Sequence, residues 1–399
     1  MKEHRVIHGD DLRGKNVLVR VDFNVPLEDG TPQNVRRIKN AVATIQFLKE
    51  AEARIILASH LGKTAPSNSD QSLKILLEEA SREYNSKVVL MDDYLGENSR
   101  RAVDGIPADE IILLENLRFH PEEEACDAEF AKKLANLADF YINEAFSASH
   151  RRHASIYAVP KFLPHALGFS FRKELQAIDD FFLGAPSPKM CIIGGAKLST
   201  KVQLLKKLVT KVDRLALGGG IAGAFLAFFG NKNLKIFDPQ EYERDVVDVI
   251  KNAKENGCEL IMPIDFSALI QDSDSFKHAI ISSEDNRASV FDIGPGSVEL
   301  FKKNIAESRT LLWNGPVGLF ERAPFNFGTA SIAKEVARLT REGRLVSIIG
   351  GGDTGAAMGK FGVAEDMTLV STAGGAFLAH IEGRRLPGIE AMEDALQLG

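Results

Sequence analysis

NVLVRV at residues 16–21, RRIKNAVATIQFLKE at 36–50 and ARIILASH at 53–60 decide the fold class. The first and third are short apolar runs of the kind that form strands buried on both faces. Between them lies a segment whose apolar residues recur three and four apart, the period of an amphipathic helix. The same alternation continues through the helical QSLKILLEEASREY, the strand-like KVVLM and EIILLE, the helix DAEFAKKLANLA and the strand-like DFYINEAF. Strands separated by helices imply parallel sheets with helices on both faces, so the chain reads as α/β.

A break follows LPHALGFS (163–170), where a helical FRKELQAIDDFFL (171–183) runs into GAPSPKM. Gly, Pro and Ser in that order suit a connector. A second series then starts at MCIIGG, with strand candidates RLAL (214–217), ELIMP (259–263), TLLW (310–313), LVSIIG (345–350) and MTLVS (367–371). Two α/β lobes of similar size, joined by a helix, account for the whole pattern. The tail RRLPGIEAMEDALQLG fits either lobe.

Composition excludes several classes. With 399 residues, 44% of them hydrophobic and 26% charged, the chain can bury proper cores and is not low-complexity. A formal net charge of −6 gives no global attraction to nucleic acid or to an anionic membrane. Cys126, Cys191 and Cys258 have no metal-ligand spacing, and their odd number does not suggest a disulfide framework. The opening MKEHRVIHGDD lacks the apolar stretch of a signal peptide, and no apolar run approaches membrane-spanning length. The expectation is a soluble, cytoplasmic protein.

Ligands of open parallel sheets bind beyond the carboxyl ends of the strands. In the second lobe four of these junctions are rich in glycine: GGAK (194–197), GGG (218–220), GGGDTG (350–355) and AGGA (373–376). Glycine lets backbone amides approach phosphate closely, and the helix start that follows adds partial positive charge. Each turn alone could be a tight strand-to-helix connection; four in one lobe point to a nucleotide. A dinucleotide reading meets Asp353, whose carboxylate would repel a pyrophosphate unless a metal ion came between them, so Mg²⁺-bound ATP suits the turn better. The P-loop pattern fails, because Gly359-Lys360 is followed by Phe361. Lys197 and Lys201, directly after GGA, are placed to follow charge on a transferred phosphoryl group.

The first lobe has a different chemistry at its strand ends. Asp22 and Asn24 follow one strand, His60 and Lys63 the next, then Arg118, and then His150, Arg151 and His153; Arg37 opens the helix at 36–50. Several cations at one edge of a sheet suit a small, multiply charged anion, since Arg forks match phosphate and carboxylate oxygens. The run Glu122-Glu123-Glu124 reads as solvated surface.

Taken together, VRVDFNVP, ASHLG, LLENLRF, FSASHRRHAS, GGAKLSTK, GGGIA, LLWNGPVGLFE and GGGDT resemble the phosphoglycerate kinase family in order and spacing, over nearly the whole chain. The resemblance implies a glycolytic kinase with two Rossmann-like lobes. Residues 1–170 with 386–399 would bind phosphoglycerate, 171–188 would be the interdomain helix and hinge, and 189–385 would bind Mg-nucleotide. Hinge closure and direct in-line transfer from 1,3-bisphosphoglycerate to ADP would give 3-phosphoglycerate and ATP. Carried over by motif, the triose site falls on Asp22, Phe23, Asn24, Arg37, His60, Leu61, Gly62, Lys63, Arg118 and Arg151. The nucleotide site falls on Lys201, Gly219, Gly220, Asn314, Pro316, Glu321, Gly351, Gly352, Asp353 and Thr354, with Glu321 on the ribose and Asp353 associated with Mg²⁺. Arg37, Lys197 and Gly375 carry the catalytic roles. A monomer is implied. The chain departs from the family pattern at Lys63, Thr200, Gly223, Ala373 and Ser147-Ala148. Another kinase forming an acyl-phosphate, or a binding module that has lost turnover, are the alternatives.

Overall fold

The computed structural model describes residues 6–28, 31–33, 35–62, 71–229, 239–272, 275–282, 288–393 and 396–398. The chain divides into two compact units, Met1–Gln176 with Arg384–Gly399, and Ala177–Gly383.

The first unit is built on an eight-stranded sheet in the order Val6–Ile7, Leu396–Leu398, His165–Leu167, Phe140–Asn143, Asn16–Arg20, Arg54–Ala58, Ile111–Leu114 and Val88–Met91. All its pairings are parallel. The C-terminal tail enters this sheet, between the first strand and His165–Leu167. Side chains alternate between faces along a strand, and both faces here are apolar. Val17, Val19, Ile55, Leu57 and Leu113 join one buried cluster, while Leu18, Ile56, Ala58, Ile112 and Leu114 join another. Two-sided burial is why these segments read as continuous apolar runs rather than alternating ones.

Helix Phe169–Leu183 starts in this unit, and the division between the units falls within it. Its first turn is capped by Glu144, which follows the strand Phe140–Asn143. The carboxylate accepts from the Ser170 amide at 3.0 Å, the Phe171 amide at 3.4 Å and the Thr44 hydroxyl at 2.9 Å. Burial raises the Glu144 pKa to about 8 against the pull of those hydrogen bonds.

The second unit has a six-stranded parallel sheet in the order Glu259–Ile261, Arg214–Leu217, Lys189–Ile193, Thr310–Asn314, Val346–Gly350 and Leu369–Val370. Met190, Ile192, Leu311, Trp313 and Ile349 form much of its core, and the fully buried Trp313 donates its indole N–H to the Gly315 carbonyl at 2.8 Å. A three-stranded antiparallel sheet of Asp265–Asp272, Ser275–Ser282 and Ala288–Ile293 is added to this unit, and the alternation of strands and helices had given no sign of it. Its inward residues Phe266, Ala268 and Ile281 pack with Leu226.

Candidate functional site

In the first unit, the carboxyl ends of four adjacent strands bring the cations together. Asp22, Phe23 and Asn24 follow Asn16–Arg20, and His60, Leu61 and Gly62 follow Arg54–Ala58. Arg118 follows Ile111–Leu114, Arg151 follows Phe140–Asn143, and Arg37 lies in the short helix Arg36–Asn40. Backbone contacts hold the loops in register. The Phe23 amide donates to Ser59 Oγ at 2.9 Å, and the Gly62 amide donates to Asn24 Oδ1 at 2.9 Å. Phe23 and Leu61 are buried and support the edge from beneath. Gly62 has φ +83° and lies against Gln71, so a side chain would be both strained and obstructed. Lys63 lies outside the described residues.

The electrostatics of this edge are strongly cationic. Arg37 is ion-paired with Asp22, which also accepts from the Ser147 hydroxyl and from the Asn24 amide at 3.1 Å. Burial pushes the Asp22 carboxyl up, but the Arg37 guanidinium and the hydrogen bonds from Ser147 and Asn24 outweigh it and bring it down to about 2. His60 is buried, with Nδ1 at 2.9 Å from Arg20 and Nε2 at 3.4 Å from Arg151. Burial, then Arg20, Arg118 and Arg151, hold the imidazole well below the usual histidine range, with Asp22 only partly opposing them. The imidazole is therefore neutral among guanidinium groups. Arg118 donates to the Gly62 carbonyl and pairs with Glu124 at 3.1 Å.

Two groups at this edge carried no sequence signal, and one reading is corrected. Glu123 is fully buried and Glu124 pairs with Arg118, so the glutamate run is not simply solvated surface. Arg20, the last residue of its strand, is fully buried as well and reaches His60 from below. Of the other two histidines, His150 is half-buried with Nδ1 at 2.9 Å from the Ser147 carbonyl, and His153 lies 3.9 Å from Glu123.

In the second unit, the strand ends surround a cavity of about 560 Å³. Lys197, Lys201, Gly219, Gly220, Pro316, Glu321 and Asp353 line it, with Phe266, Val290, Phe291, Leu319 and Phe320 as an apolar wall. Such a mixture fits a ligand with an aromatic end and a charged end. Backbones approach closely: a Cβ on Gly194 would lie 2.1 Å from the Pro316 carbonyl oxygen, and Gly219, at φ +59°, lies against Gly195. Helices Gly219–Phe228, Gly352–Lys360 and Gly374–Ile381 all begin at this edge of the sheet, so the partial positive charge of three helix starts gathers there.

The two lysines differ. Lys197 is exposed at the cavity, ahead of the short turn Leu198–Thr200. Lys201 is largely buried and donates to the carbonyls of Gly194 at 2.7 Å and Asn314 at 3.2 Å. Burial lowers its pKa to about 8, with Asp353 opposing the fall. Asp353 is exposed in the first turn of its helix.

Of the other positions carried over by motif, Asn314 and Thr354 are buried and Gly352 and Gly375 are exposed. Asn314 donates to the Gly350 carbonyl at 2.8 Å, and the buried Thr354 hydroxyl accepts from the Gly315 amide at 2.7 Å. Gly351, at φ +94°, packs against the Asn314 amide. Gly352 is exposed at its helix start, and Gly375 is exposed in the first turn of Gly374–Ile381. A further carboxyl, Asp292, lines the cavity and accepts from the amides of Gly328 at 2.7 Å and Ile293 at 2.9 Å; burial raises it to about 7. Its sequence context, FDIGP, carries no chemical signature.

Two α/β units built on parallel sheets, one with a cationic edge and the other with a glycine-lined cavity, suit a kinase acting on a small anionic substrate. The family model described as phosphoglycerate kinase matches residues 7–384. Phosphoglycerate kinase of Wolbachia pipientis wMel is 43% identical over 393 residues, covering 98% of this chain and 98% of that protein. The Caulobacter vibrioides enzyme is 40% identical over 395 residues, covering 98% and 99%. Among solved structures, phosphoglycerate kinase from Coxiella burnetii superposes with a TM-score of 0.83 at 34% identity, covering 97% of this chain and 99% of that one. The chain belongs to the phosphoglycerate kinase family. Its reaction is reversible phosphoryl transfer from 1,3-bisphosphoglycerate to ADP, giving 3-phosphoglycerate and ATP.

Proposed function

We propose that the two sheet edges divide this reaction, the first unit holding the phosphoglycerate and the second the nucleotide. The observation that carries the reading is the convergence of Arg37, Arg118, Arg151 and His60 at the carboxyl end of one sheet. Such an edge is incomplete without anionic oxygens, and a triose bearing a phosphate and a carboxyl group supplies them. Arg37 is held ready by Asp22, from which it can turn toward the reacting carboxyl group. In the second unit, the apolar wall takes the base, Glu321 the ribose, and the glycine turns with Lys201 the phosphates.

Transfer is direct and in line, with no covalent enzyme intermediate, after closure about the helix Phe169–Leu183 brings the two ligands together. Lys197 follows the phosphoryl group, and the Gly375 amide stabilises the same charge. Mg²⁺ suits one carboxylate plus phosphate oxygens, and the exposed Asp353 at the phosphate edge fits that donor set. Bound there, Mg²⁺ would neutralise developing charge on the phosphates. One chain carries both sets of residues, so a monomer suffices as the proposed working form, in the cytoplasm as for a glycolytic enzyme.

Calorimetry tests the division. Arg151→Ala should weaken 3-phosphoglycerate binding by roughly 1.5–3 kcal/mol, the scale for hydrogen bonds to charged groups, and leave ADP affinity unchanged. Equal weakening of both ligands would overturn the assignment.

A further inference from the structure

Beneath the cationic edge runs a buried chain of polar groups. Glu123 and Arg20 are fully buried, as is Ser155 between them apart from a trace of surface. The Ser155 hydroxyl donates to Glu123 Oε1 at 2.6 Å, and the Ser155 amide donates to Oε2 at 2.9 Å. Arg20 Nε donates to that same hydroxyl oxygen at 2.8 Å, a second Arg20 nitrogen donates to the Val21 carbonyl, and Nη2 meets His60 Nδ1 at 2.9 Å. Each hydrogen in this chain has one donor and one acceptor, and the chain ends on an imidazole.

Both ring nitrogens of His60 face guanidinium groups, which have only donors, and a neutral imidazole can accept at only one of them. The closer contact is that of the fully buried Arg20, at 2.9 Å from Nδ1, so Nδ1 accepts and the imidazole carries its hydrogen on Nε2. Arg151 Nη1, also only a donor, lies 3.4 Å from that Nε2. Two donors facing each other call for an acceptor oxygen that both can reach. A buried guanidinium needs a counter-charge, and Glu123 supplies it through Ser155 rather than by direct contact.

We propose that Glu123 is a positioning residue of the anion site: through Ser155 and Arg20 it fixes His60 as the Nε2–H tautomer, so that His60 and Arg151 donate to one oxygen of the bound substrate. The substrate's identity as phosphoglycerate rests on the division of labour proposed above; the tautomer does not. Without Glu123, Arg20 loses its orientation, His60 samples both tautomers, and the site offers an acceptor where the anion needs a donor.

The tautomer is read directly from long-range proton–nitrogen correlation spectra of the full-length protein, with His60 assigned by its loss in His60→Gln. In the wild type, Nε2 should be protonated and Nδ1 bare, without change from pH 6 to 8. Addition of 3-phosphoglycerate should shift the Nε2 signal. In Glu123→Gln and Ser155→Ala the two nitrogens should average. The KM for 3-phosphoglycerate should rise about tenfold in both while kcat and the KM for ATP stay near wild type, the loss expected for one misplaced hydrogen bond. Glu122→Gln, one residue away and exposed, should leave all of these unchanged. A proton on Nδ1 in the wild type overturns the proposal without recourse to any variant, as does a folded Glu123→Gln protein with the wild-type tautomer and KM. A correct tautomer that ignores 3-phosphoglycerate would instead overturn the assignment of the triose to this edge.

Discussion

Nucleotide binding should take up a proton, and Lys201 is the reason. Its ammonium is largely buried against the Gly194 and Asn314 carbonyls, and burial lowers its pKa to about 8. Nucleotide phosphates entering the adjoining cavity supply negative charge that returns it toward the ordinary lysine value near 10.4. The free protein then lacks about one-tenth of a proton on Lys201 at pH 7, about one-half at pH 8 and about nine-tenths at pH 9, and binding restores it. Affinity for ADP should accordingly fall about tenfold, or about 1.4 kcal/mol, between pH 7 and pH 9. The sign is that of a depressed cation. In the unliganded protein the unfolded chain binds more protons between about pH 8 and pH 10.4, so stability rises with pH across that window. Calorimetric titration in two buffers of different ionisation enthalpy counts the proton. Lys201→Met should bind ADP more weakly with no uptake. Uptake that persists in Lys201→Met, or a wild type that takes up nothing at pH 8.5, would refute the reasoning.

Three further outcomes follow from the same geometry. Lys197→Ala should lower kcat and kcat/KM together by roughly 10²–10³ with both KM values retained, because its charge matters in the transition state; a rise in the KM for ADP alone would make it a ground-state ligand. Asp353→Asn should lose most turnover yet bind 3-phosphoglycerate normally, and full activity at ordinary Mg²⁺ would remove it from the metal site. Glu144, raised to about 8, holds an extra proton in the folded state, so its stabilising contribution is complete below about pH 4.5 and is lost as pH rises through 8. Chemical denaturation should therefore show Glu144→Gln gaining on the wild type from pH 5 to pH 9, and a constant difference would contradict it.

What could be read from the chain depended on whether the cause was local. Buried strands such as Val17–Val19 and Ile55–Leu57 are apolar on both sides, which a short window reveals. Glycine turns and the cations after the strands are equally local. The antiparallel sheet was missed because its strands, such as SFKHAIIS, mix polar and apolar residues and have no helices between them. Glu123 was misread for a different reason. Three glutamates in a row predict solvent, and only Ser155, 32 positions onward, and Arg20, from another strand, make the middle one internal. Thr354 shows the same limit in reverse: its place in a phosphate turn suggests a ligand contact, while its hydroxyl is engaged by Gly315, 39 positions away.

On the proposed division, the two edges answer the problem of holding an anion in opposite ways, and the difference follows from the ligands. A triose has few atoms and concentrated charge, so recognition needs guanidinium forks, and forks on a sheet edge repel one another until something beneath them is negative. Asp22 beside Arg37 and Glu123 beneath Arg20 meet that need, one just below the edge and one in the core. A nucleotide has a flat apolar base and a string of phosphates, so an apolar wall and backbone amides suffice, and side-chain charge can be sparse. Sparse charge has its own consequence. Lys201 is held by carbonyls rather than by a carboxylate, so its proton is secured less firmly than nucleotide phosphates would secure it. The first unit therefore keeps its charge state fixed by its own residues, whereas the second completes its charge only with the nucleotide. On this reasoning, pH between 7 and 9 should act on nucleotide affinity and leave phosphoglycerate affinity nearly constant.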